Sequence, residues 1–385
     1  MSSTDPVERY APDPNILERR AGVYLKQLNL ADTGEQRERR PEEVSELKFI
    51  ERRAVLYAAA AGIVSGGIIG GGEVYVRLAW IGDADAGWLD HWRVWLAFLA
   101  FAGFVSAVEI GLLYWNALRA IAGFTRTSGV SLGKRANAEI ISRGLARAAL
   151  EFPNPRDPVF GIDPYARVPN WRLTAQAILY KLKVGVSSFL LRLFMRRVVG
   201  RMMVRGLVPL LAGPLYAAWN ALITWRICRE ARVRALGPFA VENLVSAVEG
   251  QKEQLTETAR DVIVQGTGEL MMRGKDAHPN FVVLLARLRR ALDVDEDPMS
   301  VDWGTTRQGL PELDEAQQNL VLNVLTLASL LGSKVRRGQG ELVREAHGDC
   351  GRPFHEAAFL ALRTKLIEGR AITAADLARV RATEG

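Results

Sequence analysis

The sequence predicts an all-α protein: a two-span transmembrane helical hairpin, a basic membrane-apposed helical region and a soluble C-terminal helical bundle. Three observations support this. Residues 54–72 and 94–118 are long apolar stretches that carry one charged side chain in total, Glu109. Lysine and arginine crowd into the region that follows them. The last third shows helix-type apolar periodicity bounded by Pro, Gly and capping residues, with no alternating Val/Ile/Thr runs.

Composition narrows the class. The chain has 385 residues, 49% of them hydrophobic and 24% charged, with a net charge of +7. So many apolar residues exclude a disordered tail, and so many charges exclude a polytopic carrier. Two cysteines, Cys228 and Cys350, do not make a disulfide framework.

Residues 1–53 are polar, carry ten Lys/Arg and lack a secretion-signal pattern, so they read as a cytosolic N-terminal segment. The hairpin is expected at 54–118. Nineteen uncharged residues at 54–72 and twenty-five residues at 94–118, interrupted only by Glu109, each suffice to cross a hydrocarbon core of about 30 Å at about 1.5 Å per residue. Trp80, Trp88, Trp92, Trp95 and Trp115 fall near the expected boundaries, like an aromatic belt. Arg52 and Arg53 precede the first span, and Arg119, Arg126, Lys134 and Arg135 follow the second; Asp83, Asp85 and Asp90 lie between the spans. The positive-inside rule then places both termini in the cytosol.

Small residues recur every fourth position in both spans: Gly62, Gly66 and Gly70 in the first, Gly103, Ala107 and Gly111 in the second. Such rows let helix backbones approach closely. They are expected to pack the hairpin against itself, and a second glycine face at Gly67 and Gly71 offers a contact to another copy, hence a homo-oligomer. Glu109 and Asn116 share a helical stripe and are candidates for an ion or proton pathway. The favoured alternative pairs Glu109 with Arg52 or Arg53 across the hairpin.

Residues 119–240 hold 20 Lys/Arg against 5 Asp/Glu, so the positive charge is concentrated here. A helix is expected at 131–152, followed by a proline-rich break at 152–169. Within 181–206, Lys181, Lys183, Arg192, Arg196, Arg197, Arg201 and Arg205 interleave with Phe, Leu, Val and Met. That pattern makes a basic amphipathic helix suited to anionic lipid headgroups. No base-reading module accompanies it, so nucleic acid is not an expected partner. Residues 206–225 are uncharged, but a third crossing running outward would put Arg226, Arg229, Arg232 and Arg234 outside. With Pro209, Gly213 and Pro214 interrupting it, the stretch is expected to form a re-entrant or buried helical pair.

In residues 201–238, the run Leu207-Val208-Pro209 with Gly213, Asn220 and Ala231 resembles the signature region of EcsC-like proteins. That resemblance implies a helical, membrane-associated bacterial protein at the inner membrane.

The C-terminal third divides into a helical connector, 241–311, and a helical domain, 312–385. Helices are expected at 251–272, 280–292, 314–331, 340–347, 353–368 and 373–383, the last opened by a Thr373-x-x-Asp376 capping box. The helix 320–331, the turn Gly332-Ser333, the segment 341–346 and Gly369 before Ile372-Thr373 resemble the TerB-like helical domain of tellurite-resistance proteins. In that family the turn after the first helix commonly offers acidic metal ligands. Here it reads Gly332-Ser333-Lys334-Val335-Arg336-Arg337, which is basic.

His347, Cys350 and His355, with Asp349, are zinc-type ligands at close spacing, and Cys350 with either histidine is a nucleophile–base pairing. Neither grows into a metal or catalytic motif, and no phosphate-binding loop is present. The expected function is therefore a non-enzymatic one without cofactors. It is an interaction or scaffold protein of the inner membrane, with envelope stress as the expected setting, that self-associates and shows a cytosolic helical domain to an unspecified protein partner. An oligomeric channel is the alternative.

Overall fold

A computed structural model describes residues 15–28, 40–81, 91–129, 138–175, 208–294 and 299–382. Every regular element among them is helical; the one β-type pairing is an isolated bridge between Val159 and Ile162. The helices are α1 (Ile16–Leu28), α2 (Pro41–Val76), α3 (Trp92–Thr127), α4 (Ala138–Ala149) and α5 (Val208–Glu249). They continue with α6 (Glu257–Gly274), α7 (Pro279–Ala291), the single turn α8 (Trp303–Thr306), α9 (Glu315–Leu330), α10 (Arg337–Asp349), α11 (Glu356–Glu368) and α12 (Ala374–Val380). They form two compact units: an apolar one of residues 49–120 and 169–228, and a polar one of 1–48, 121–168 and 229–385.

The three longest helices start where their sequences permit. Pro41 opens α2 with its fixed φ, Glu42 and Glu43 complement the positive helix end, and the Arg40 amide donates to Glu43 Oε2 at 2.9 Å. At 36 residues, α2 and α3 are each about 54 Å long. The expected helical pair in the region 206–225 is instead the first half of one continuous 42-residue helix, α5. Pro209 falls in its first turn, where amides are unpaired anyway, and Pro214 removes one bond, the one to the Leu210 carbonyl.

In the polar unit, α6 packs against α7, α8, α9 and α10, and α9 in turn against α11, which carries α12. The expected connector 241–311 and C-terminal domain 312–385 thus share one compact unit, because α6 lies against α9 and α10. Their caps follow the sequence. Thr256 caps α6, Asp314 caps α9, and Thr373 with Asp376 forms the capping box of α12. The N-terminal segment contributes a helix that the periodicity reading did not include: α1 packs on α4, burying Leu25, and its Glu18 pairs with Arg147.

One close approach organises the middle of this unit. Asn280 at the start of α7 donates its amide to the carbonyls of Val233 and Leu331, each at 3.0 Å. It fits because residue 237 is glycine: a Cβ there would lie 1.9 Å from the Asn280 amide nitrogen.

Candidate functional site: an apolar three-helix unit

Among the described residues, the apolar unit is built mainly from α2, α3 and the first half of α5. α2 and α3 run antiparallel. The Asn116 side-chain amide donates to the Ala54 carbonyl at 2.8 Å, and toward the other end Gly72 lies against Phe98 and Phe101. Ile69, Trp95, Phe98 and Ala102 form the core of that end, with Trp95 and Phe98 edge-on at 5.9 Å.

α5 covers the glycine row of α2. A Cβ on Gly62 would come within 2.6–2.7 Å of the backbone of Tyr216 and Ala217, and one on Gly66 within 2.7 Å of Gly213. The row Gly62–Gly66 therefore meets α5 and not α3, which corrects the expectation that the hairpin closes on itself through it. Gly70 is buried in the same helix. Gly67 on the adjacent face, and Gly103 and Gly111 on α3, have open space where a side chain would stand, and Ala107 is exposed.

The pairing order also fixes a direction. Residue numbers rise from Gly62 to Gly66 as they fall from Tyr216 to Gly213, so α5 is antiparallel to α2. Ten residues from the Gly62–Tyr216 contact, about 15 Å along both helices, Arg226 reaches the level of Arg52. The expectation had a third helix running outward; α5 instead runs antiparallel to α2 and carries Arg226 toward the end of α2 that bears Arg52.

Glu109 is 5% exposed and accepts a hydrogen bond from Nδ2 of Asn220, itself 7% exposed, at 2.7 Å. The favoured pairing with Arg52 or Arg53 is not formed. Both arginines are exposed, and α5 brings an amide to the face of α3 that carries the carboxylate. A lone amide within the uncharged stretch 206–225 was the available signal for this partner. Asn116 and Glu109, expected on one pathway, engage different helices.

The outer faces of α2 and α3 remain apolar and exposed. Leu56, Ile63, Val64, Phe104, Val108 and Leu112 are among the large side chains left open. In the most apolar eighteen-residue window, only 39% of α2 residues and 17% of α3 residues are buried. These are the two helices, among the described residues, long and apolar enough to cross a membrane. The basic candidates Lys181, Lys183, Arg192, Arg196, Arg197, Arg201 and Arg205 lie outside the described residues.

The C-terminal cluster resolves into packing. His347 is 1% exposed; its Nδ1 sits 3.1 Å from the Pro353 carbonyl and its ring meets Phe354 edge-on at 5.3 Å. Burial, offset in part by that hydrogen bond and reinforced by Arg381, lowers the imidazole to about 4. Burial and the Asp349 charge push the Cys350 thiol up to about 11, so it is protonated at neutral pH. Asp349 is held by both arms of Arg307 at 2.8 Å. Among the described residues, no three His, Cys, Asp or Glu side chains stand together to hold a metal ion, so His347, Cys350 and His355 do not converge. The basic turn after α9 is occupied from within: Arg363 donates to the carbonyls of Leu330, Gly332 and Ser333.

No protein-family model, curated protein or solved structure matches the chain.

Proposed function

We propose that the chain is an integral membrane scaffold of the bacterial inner membrane, with both termini cytosolic, and that its polar helical unit serves as a docking module for other proteins. The apolar surface left open on α2 and α3 carries this reading. The core helices of a soluble protein bury most of their apolar side chains, whereas α3 leaves most of its span facing outward. In lipid that surface has a matching solvent. The positive-inside rule supports the orientation, and the direction of α5 adds to it, because Arg52, Arg53 and Arg226 then share one end of the unit. The likeness of 201–238 to EcsC-like proteins and of the last 70 residues to TerB-like domains agrees with a membrane-linked, non-enzymatic role in envelope stress. Anionic headgroups are the expected contact of the basic stretch 181–206.

Self-association is assigned to the small-residue faces that the chain leaves open, Gly67 and Gly71 on α2 and Gly103, Ala107 and Gly111 on α3, since Gly62 and Gly66 are already covered by α5. The second reading, an oligomeric channel, has one observation on its side: a carboxylate, Glu109, buried in an apolar unit. Its hydrogen bond to Asn220 and that of Asn116 to Ala54 favour the scaffold, because both polar groups are engaged inside one chain. We infer no catalytic role and no cofactor.

The test is extraction and cross-linking of the full chain from membranes. The scaffold reading expects retention after alkaline carbonate and a cross-linked oligomer that Gly103→Leu with Gly111→Leu dissociates. Release by carbonate overturns it, and steady Glu109-dependent ion flux in liposomes favours the channel.

A further inference from the structure

We propose that the loop end of the α2–α3 pair is a specific binding site for one bilayer phospholipid with an anionic phosphate headgroup. This rests on the membrane reading above. A groove of about 520 Å³ opens there, lined by Gly72, Tyr75 and Trp80 on the α2 side and by Arg93, Phe98 and Phe101 on α3.

Three features of the groove match a lipid and not water or a generic apolar partner. First, it is graded along its length. Arg93 and Trp80 stand at the loop end, and the Phe98 and Phe101 rings stand deeper; Arg93 and Phe101 are eight residues, about 12 Å, apart along α3. A cation and an indole at one end with the Phe101 ring, 44% exposed, at the other is the order of a headgroup followed by an acyl chain. Second, the groove narrows at Gly72, where the absence of a side chain lets the Phe98 and Phe101 rings lie against α2. A Cβ there would meet Phe101 Cε1 at 3.3 Å and Phe98 Cε2 at 3.5 Å, so any longer side chain would fill the space between the two helices. Third, α2 gives way to a five-residue π-helical turn, Arg77–Ile81. This rare form costs regular hydrogen bonding and occurs mostly where a side chain is placed for a purpose; here it carries Trp80, 64% exposed.

The charge selects the ligand. Arg93 lies over the Trp92 ring, its guanidinium 5.4 Å from the ring centroid, which leaves the planar fork directed by stacking as well as by charge. A guanidinium at the membrane interface recognises a phosphate diester through paired N–H···O bonds. An acyl chain in the groove then runs between Tyr75 and Phe101, the exposed rings of its two walls. The site differs from the basic stretch 181–206 in position and in kind: that stretch would attract headgroups by summed charge, whereas this groove holds one chain and one phosphate.

The experiment uses the full chain reconstituted in liposomes doped with a phosphatidylglycerol that carries a diazirine in mid-acyl chain. After photolysis, labelled peptides are mapped by mass spectrometry. The expected result is enriched labelling at residues 72–76 and 97–101 over the openly lipid-facing Phe104 and Leu112. Gly72→Leu should cut the groove labelling roughly fivefold and leave Phe104 unchanged. Arg93→Gln should lower it with the phosphatidylglycerol probe and not with an uncharged diacylglycerol probe of the same chain. Groove labelling no stronger than at Phe104, or indifferent to Gly72→Leu, overturns the site while leaving the membrane reading intact. A dimer cross-linked through residues 72–80 also overturns it, in favour of a second copy as occupant. Absence of labelling on α2 and α3 altogether removes the membrane reading along with the site.

Discussion

Asn220 of α5 donates its side-chain amide to the buried Glu109 carboxylate of α3 at 2.7 Å. That one bond joins a helix outside the α2–α3 pair to the pair itself, on the face of α3 that carries its only acidic side chain. Replacing Asn220 with Leu strands the carboxylate without its donor. The expected loss is about 1–2 kcal/mol, read as a lower midpoint for unfolding in mild detergent. Glu109→Gln keeps an acceptor for the amide and should cost less. Equal losses for the two variants would show that the bond is not what the carboxylate contributes.

Two glycines on one helix should respond in opposite ways. Gly62→Ala places a Cβ within 2.7 Å of the Tyr216–Ala217 backbone, where nothing can yield without moving α5. It should destabilise the chain by about 1–3 kcal/mol. Gly67→Ala meets nothing within 4 Å and replaces a poor helix former, so it should be neutral or stabilising by up to about 1 kcal/mol. Unfolding midpoints of the pair, measured side by side, decide the matter.

Gly237→Ala should be among the more damaging small substitutions in the polar unit, at about 2–4 kcal/mol, because its Cβ would overlap the Asn280 amide that bridges Val233 and Leu331. In the double variant with Asn280→Ala the two losses should fall well short of additive, since the second change removes the group that the first one hits. Additive losses would mean that the two residues are not in contact.

Acid should weaken the polar unit through His347 before its carboxylates titrate. The imidazole falls from an ordinary 6.5 to about 4 on folding, mainly by burial. Between those values the unfolded chain binds a proton that the folded chain excludes. The contribution is therefore full above pH 6.5 and is lost as pH falls toward 4, on the order of 3 kcal/mol. His347→Phe should flatten the stability profile between pH 5 and pH 6.5 relative to the parent. A profile with the same slope in both would place the titration elsewhere.

How far the sequence carries depends on the kind of contact. The capping box at Thr373 and Asp376 was legible because it is complete within four residues. The two long apolar helices were legible because length and charge scarcity are properties of single segments. The glycine row was legible as a row, and its partner was not. A four-residue repeat shows that some backbone comes close, but which helix arrives is a matter of chain direction over 150 residues from Gly62 to Tyr216. For the same reason the reading of the hairpin alone pairs Glu109 with Arg52 or Arg53 on the facing helix, whereas packing supplies Asn220 of α5. α1 escaped notice because its buried side, with Leu25 at the centre, is narrow, and the ion pair that seats it joins Glu18 to a residue 129 positions away. Pro214 does not end α5, because one lost hydrogen bond is outweighed when the surrounding helix is held along its length.

On the proposed reading α2 and α3 cross the membrane, and α5 packs on α2 with Arg52 and Arg226 at one end of the unit. Cysteine accessibility tests it most directly, in a background with Cys228→Ser and Cys350→Ser. Single cysteines are introduced as Arg52→Cys, Asp85→Cys and Arg226→Cys in the full chain, and intact cells are treated with a membrane-impermeant maleimide. The account predicts labelling at position 85 in intact cells, and at positions 52 and 226 only after the membrane is opened. Labelling of position 226 in intact cells, or equal protection of position 85, would contradict it.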